Sequence, residues 1–157
     1  MKMRILFLAI LMMGSTATAL AVERPKAVPS DFKIVHTWGH SHVERGVEEY
    51  SLDASGMLKI EKRALGRSKQ KSTVIPREKV LDVYWVLVKN EYKKMKDISS
   101  GPDTGQFSNW SITANGETKT VNSLTNNIQM EIEKILKPIE PNWDEESEGR
   151  FQRRFER

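Results

Sequence analysis

Cysteine is absent from the 157 residues. Disulfides, thiol nucleophiles, thiolate metal sites and lipid attachment through a cysteine are therefore excluded. The nine glycines are scattered singly, so no glycine-rich loop is present to cradle a phosphate. Histidine is scarcer still, and all three residues, His36, His40 and His42, fall within one short stretch. Ser41 adjoins His42 in sequence, but nothing there resembles a nucleophile elbow, so a serine triad has no support. An excess of one charge is also missing. The formal net charge is +4, and two of the basic residues, Lys2 and Arg4, belong to an N-terminal segment that reads as removable. No global case for nucleic-acid binding remains.

What is present begins with that segment. Lys2 and Arg4 precede an apolar stretch at residues 5–13, and Ala17-Thr18-Ala19 or Ala19-Leu20-Ala21 follows as a small-residue cleavage site. The apolar run has roughly the 7–15 residues of a secretory h-region, short of the roughly 20 that a membrane span requires. Residues 1–21 thus read as a signal peptide, and a bacterial periplasm or the extracellular medium as the destination. Residues 22–30, with Pro25 and Pro29, read as a linker, residues 31–140 as one domain, and residues 141–157 as a charged tail carrying Trp143, Phe151 and Phe155.

Within the domain, residues 75–95 carry the longest remaining apolar run. Val80, Leu81, Val83, Tyr84, Trp85, Leu87, Val88 and Tyr92 share one arc of a helical wheel, with Val86 misplaced on the polar side. Pro76 suits the first turn of such a helix. Phe32, Ile34, His36 and Trp38 alternate with Lys33, Val35 and Thr37, the pattern of a half-buried strand. Asp53-Ala54-Ser55-Gly56 has turn chemistry and pairs Leu52 with Leu58 and Tyr50 with Ile60 on one face of a hairpin. Asn115-Gly116 predicts a type I′ turn that sets Trp110 opposite Val121 and Ile112 opposite Lys119. Residues 65–71 read as a polar connection, and residues 72–75 leave room for a short strand. Ser123 or Thr125 would cap a second helix with Ile128, Ile132, Ile135 and Leu136 along its stripe. The expected fold is α+β: an antiparallel sheet of about five strands with two helices on one face, in the order β-ββ-α-ββ-α.

Tyr50-Ser51-Leu52 leading into Asp53-Ala54-Ser55-Gly56, then Lys79-Val80 in a helix, Asp103 in a loop, and a final hairpin and helix together resemble a family of small exported bacterial α+β domains of unknown function. The resemblance spans residues 31–139. It implies the same element order and no particular activity.

Two sets of residues carry possible chemistry. In an extended strand His40, His42 and Glu44 point the same way, with alternate Cα atoms about 6.5 Å apart, within reach of one Zn²⁺ or Cu²⁺. His36 lies about 13 Å from His40 and joins them only if Gly39 bends the chain. The plainer reading makes His36 a core-facing strand residue beside Trp38. The second set is a basic run: Lys59, Lys62, Arg63, Arg67, Lys69 and Lys71, opposed only by Glu61. It would meet lipid headgroups, an anionic glycan or another polyanion, or else serve as a solvated edge that discourages strand-to-strand aggregation. Asp103-Thr104-Gly105 spells a protease triplet, but Gly101-Pro102 ahead of it marks a turn. Trp38, Trp85 and Trp110 are expected to face inward. The sequence therefore points to an exported, non-enzymatic binding or accessory module without a cofactor, whose partner is a protein or an anionic surface. The alternative is a Zn or Cu binder built on the histidines.

Overall fold

The computed structural model describes residues 22–40, 46–97 and 105–139. These fold as α+β. The strands are β1 (Lys33–His40), β2 (Val47–Asp53), β3 (Met57–Ala64), β4 (Arg67–Val74), β5 (Gln106–Ala114) and β6 (Glu117–Val121). Helix α1 (Arg77–Lys89) follows β4, and α2 (Asn126–Leu136) follows β6. The sheet has six antiparallel strands in the order β4-β3-β2-β1-β5-β6. No helix among the described residues is long and apolar enough to cross a membrane.

The first and last hairpins form in the register that the alternation predicts. Leu52 faces Leu58 and Tyr50 faces Ile60. Trp110 faces Val121 and Ile112 faces Lys119. The Asp53 carboxylate accepts hydrogen bonds from the backbone N–H groups of Ser55 (2.9 Å) and Met57 (3.2 Å) and from the Ser55 hydroxyl (2.6 Å). Gly56 sits at φ +89°, and a Cβ there would come within 2.5 Å of the Ile75 carbonyl oxygen. At the second turn Asn115 (φ 55°) and Gly116 (φ 75°) take the positive values of a type I′ reversal. Asp31 braces that turn from a distant part of the chain, accepting from Asn115 N–H (2.9 Å) and Gly116 N–H (2.6 Å).

Because alternate side chains point to opposite faces, Ile34, Leu52, Leu58 and Ile112 lie in one cross-strand row under the helices. Val80, Val83 and Leu87 of α1 and Ile128 and Ile132 of α2 close over it. Phe32 meets Tyr84 edge-on at 5.2 Å. Each wholly buried aliphatic side chain contributes roughly 1.5–3 kcal/mol over its exposed state.

Three expectations need correction. The sheet has six strands, not about five, because residues 67–74 form a full edge strand where a polar connection and a short strand were expected. An edge strand can consist of Arg, Lys, Gln and Ser, since it does not have to bury both faces. Helix α1 stops at Lys89, short of Met95: Asn90 turns its side-chain amide back to the Val86 carbonyl (2.7 Å), and Glu91 enters the left-handed region at φ 51°. Val86 itself is buried, because α1 packs against α2 as well as the sheet.

Candidate functional site

The alternation places Ile34, His36, Trp38 and His40 on the helix-bearing face. The row through Ile34 lies in the core. Beyond it, His36 is neighbour to Trp110 on β5 and Tyr50 on β2, with Trp38 two residues along. Four rings stack there in a column: Trp110 and His36 at 3.8 Å, His36 and Trp38 at 4.7 Å, Trp38 and Tyr50 at 4.9 Å, with interplanar angles of 10°, 25° and 27°. His36 Nε2 lies 3.0 Å from the Ser108 hydroxyl. Burial within the column pushes the His36 imidazole down to about pKa 4, so it is neutral at physiological pH. Of the three tryptophans expected inward, Trp110 is buried, while Trp38 and Trp85 are half-buried.

This arrangement separates the histidines. Strand β1 runs extended through Gly39, where a Cβ would meet the Gly46 carbonyl oxygen at 2.6 Å, so the close β1–β2 approach keeps the chain straight. His36 thus stays with the column, and His40, nearly buried, sits at the end of the strand. His42 and Glu44 lie outside the described residues, as does the Asp103-Thr104 turn. Among the described residues no three His, Asp or Glu side chains are grouped closely enough to hold a metal ion.

The basic run is divided by the same alternation. Lys59 and Arg63 point to the open face, where Arg63 pairs with Glu49 (2.9 Å) and Glu61 (2.9 Å). Lys62, Arg67, Lys69 and Lys71 point to the helix-bearing face, with Lys62 directly opposite Lys69 and 3.5 Å from Glu48. Six residues close in sequence therefore do not make one patch.

At the far end of the sheet, however, part of each set meets. A broad groove of about 550 Å³ is lined by His40, Val47, Arg63, Arg67, Ser68 and Phe107, together with the turn between β3 and β4. Arg63 reaches this concave surface from the open face, its guanidinium paired with Glu49 and Glu61, and Arg67 from the helix-bearing face, with Phe107 and Val47 in the same lining. That combination suits a ligand with an anionic group attached to an apolar body. The turn at its mouth is Leu65-Gly66, with φ of 49° and 68°, and Leu65 is 51% exposed. Sequence reasoning missed Leu65, Phe107 and the ring column. Phe107 belongs to a strand more than forty residues after the start of the basic run, so no local pattern joins them. A leucine at a left-handed turn position leaves no compositional mark; Ala64-Leu65-Gly66-Arg67 between two strands is the only trace. No protein-family model matches this sequence, and a comparison with curated proteins finds no match.

Proposed function

We propose that the chain is an exported, non-catalytic binding module that takes anionic ligands at the end of its sheet. The observation that carries this reading is the meeting of Arg63 and Arg67 at one groove beside Phe107 and Val47. Arg presents a planar fork of donors suited to carboxylate, sulfate or phosphate, and it is more weakly hydrated than Lys, so it loses less on leaving water. The aromatic column gives the adjoining face rigid support, because stacked rings on neighbouring strands restrict each other's rotamers. Export rests on the pattern of the first 21 residues.

The test is salt-dependent retention of the mature protein on immobilised heparin. Arg67→Glu should elute at markedly lower salt than the parent. Lys134→Glu makes the same change of charge on an exposed face of α2 and should elute close to the parent. Equal shifts in both variants would reduce the interaction to overall charge and remove the site.

A further inference from the structure

Alternation gathers one sign of charge on part of the helix-bearing face. Lys62 on β3 and Arg67, Lys69 and Lys71 on β4 all point to that side, with Glu48 of β2 3.5 Å from Lys62. Positive charge is in excess there. Lys62 stands directly opposite Lys69, a like-charge pairing that an added carboxylate relieves. Beside the lysines lies a shielded apolar side chain. Ile60 sits between Tyr50 and Lys71 in its cross-strand row and is 0% exposed, yet it stands outside the cluster of core side chains that α1 and α2 close over. Tyr50, half-buried, ends the column of stacked rings at the same place. Lysine stems shield apolar surface in part while their ammonium groups stay in water, so a complete cover calls for one more apolar group.

One segment of this chain carries the complement. Ile139, the last described residue, packs against the core, as Tyr50 does. The nine residues that follow, 140–148, hold five carboxylates (Glu140, Asp144, Glu145, Glu146 and Glu148), no basic residue and a single aromatic side chain, Trp143. Fully extended, nine residues reach roughly 30 Å, several times the spacing of about 4.8 Å between neighbouring strands. A tethered segment also meets such a surface at a far higher effective concentration than a free partner does. We infer that residues 140–148 fold back on the helix-bearing face of β3 and β4, with Trp143 laid over Ile60 and Tyr50 and the carboxylates after it meeting Lys62, Lys69 and Lys71. The order of residues suits this: the indole supplies the apolar cover, and Asp144, Glu145 and Glu146 come directly after it, as the lysines border Ile60. Docking of this kind uses the face of β3 and β4 and not the groove, so it stands whether or not anionic ligands bind there.

Acrylamide quenching of Trp143, read as the difference between the full mature chain and its Trp143→Phe variant, tests it. In the parent, quenching should be several-fold weaker than that of a free tryptophan derivative. Lys69→Glu with Lys71→Glu should raise it toward the free value. Adding Asp144→Lys, Glu145→Lys and Glu146→Lys to that variant should bring it down again, whereas those three lysine substitutions alone should expose Trp143. Quenching at the free value in the parent would overturn the docking. Shielding that survives both sets of charge reversals would place Trp143 elsewhere and overturn this surface. Shielding lost on dilution would put the segment of a second copy there and overturn the return of the chain on itself.

Discussion

His36 shows how one side chain can couple the sheet to pH. Its imidazole is held between Trp38 and Trp110, and burial favours the neutral ring, with its pKa at about 4 instead of 6.5. In the unfolded chain the ring takes up a proton near 6.5, and in the folded chain it resists until about 4. Stability is therefore full above pH 6.5, falls as pH drops from 6.5 to 4, and stops changing on this account below 4. The unscreened difference is about 3 kcal/mol, and contact with solvent at the open side of the column reduces it to about 2. Urea unfolding at pH 7, 5 and 4 should show that loss in the parent, and His36→Phe should flatten it. A flat parent profile would mean that cation–π attraction from the two indoles cancels the effect of burial. Gly56 offers a second test at this scale. Its positive φ, and the Ile75 carbonyl oxygen only 2.5 Å from where a Cβ would stand, leave no room for a side chain. Gly56→Ala should cost about 2–3 kcal/mol in the same assay, whereas Gly66→Ala, with open space around it, should cost clearly less. Of these residues the sequence marked Gly56 by its turn chemistry and His36 by its place in the alternation. Nothing local announced Leu65, because a conformational cost at one residue has no signature in composition.

Hairpins are the elements that reveal themselves most completely. Register follows when turn residues and a one-sided apolar pattern agree, as they do at Asp53–Gly56 and Asn115–Gly116. Strand β4 escaped because Arg67, Lys69, Lys71 and Thr73 alternate with Ser68, Gln70 and Ser72, so neither face looks apolar. The groove escaped because its walls come from the ends of β1, β2, β3, β4 and β5, and only tertiary structure collects them. The last hairpin also depends on a partner that local sequence does not show: Asp31 accepts both N–H groups of its turn. The hydrogen bond from Gly116 holds the Asp31 carboxyl below its ordinary value of 3.8; desolvation opposes it, and the weaker contribution of the Asn115 hydrogen bond adds to the lowering. A carboxyl depressed in this way stabilises the fold above 3.8, and the gain disappears as pH falls through the depressed value. Asp31→Ala should therefore lower the thermal midpoint at pH 7, and the gap from the parent should narrow by pH 3. A constant gap would mean that the residue acts through packing instead of its charge.

At the scale of the whole molecule, β1 is the strand on which the two halves depend. It lies between β2 and β5, so within the sheet β2-β3-β4 and β5-β6 meet along a single eight-residue strand, while α1 and α2 pack against each other above it. Pairing Ile34 with Ile112 and His36 with Trp110 joins residues more than seventy positions apart, a closure that slows folding but binds the halves into one cooperative unit. Ile34 contributes to that unit from both sides, opposite Leu52 and Ile112 and 4% exposed under the helices. Removing its side chain beyond Cβ leaves a cavity that touches both halves, so Ile34→Ala should cost about 2–5 kcal/mol. The loss should come as one transition. Far-ultraviolet dichroism follows all the elements, and tryptophan emission follows Trp38, Trp85 and Trp110 in β1, α1 and β5. If β1 unites the molecule, the two signals will keep a common midpoint in the parent and in Ile34→Ala, moved down together. Separate midpoints in the variant would show that each half holds its own core. The row through Ile34 would then be a seam between two units, and the groove built across both halves would lose the rigid frame its arginines need.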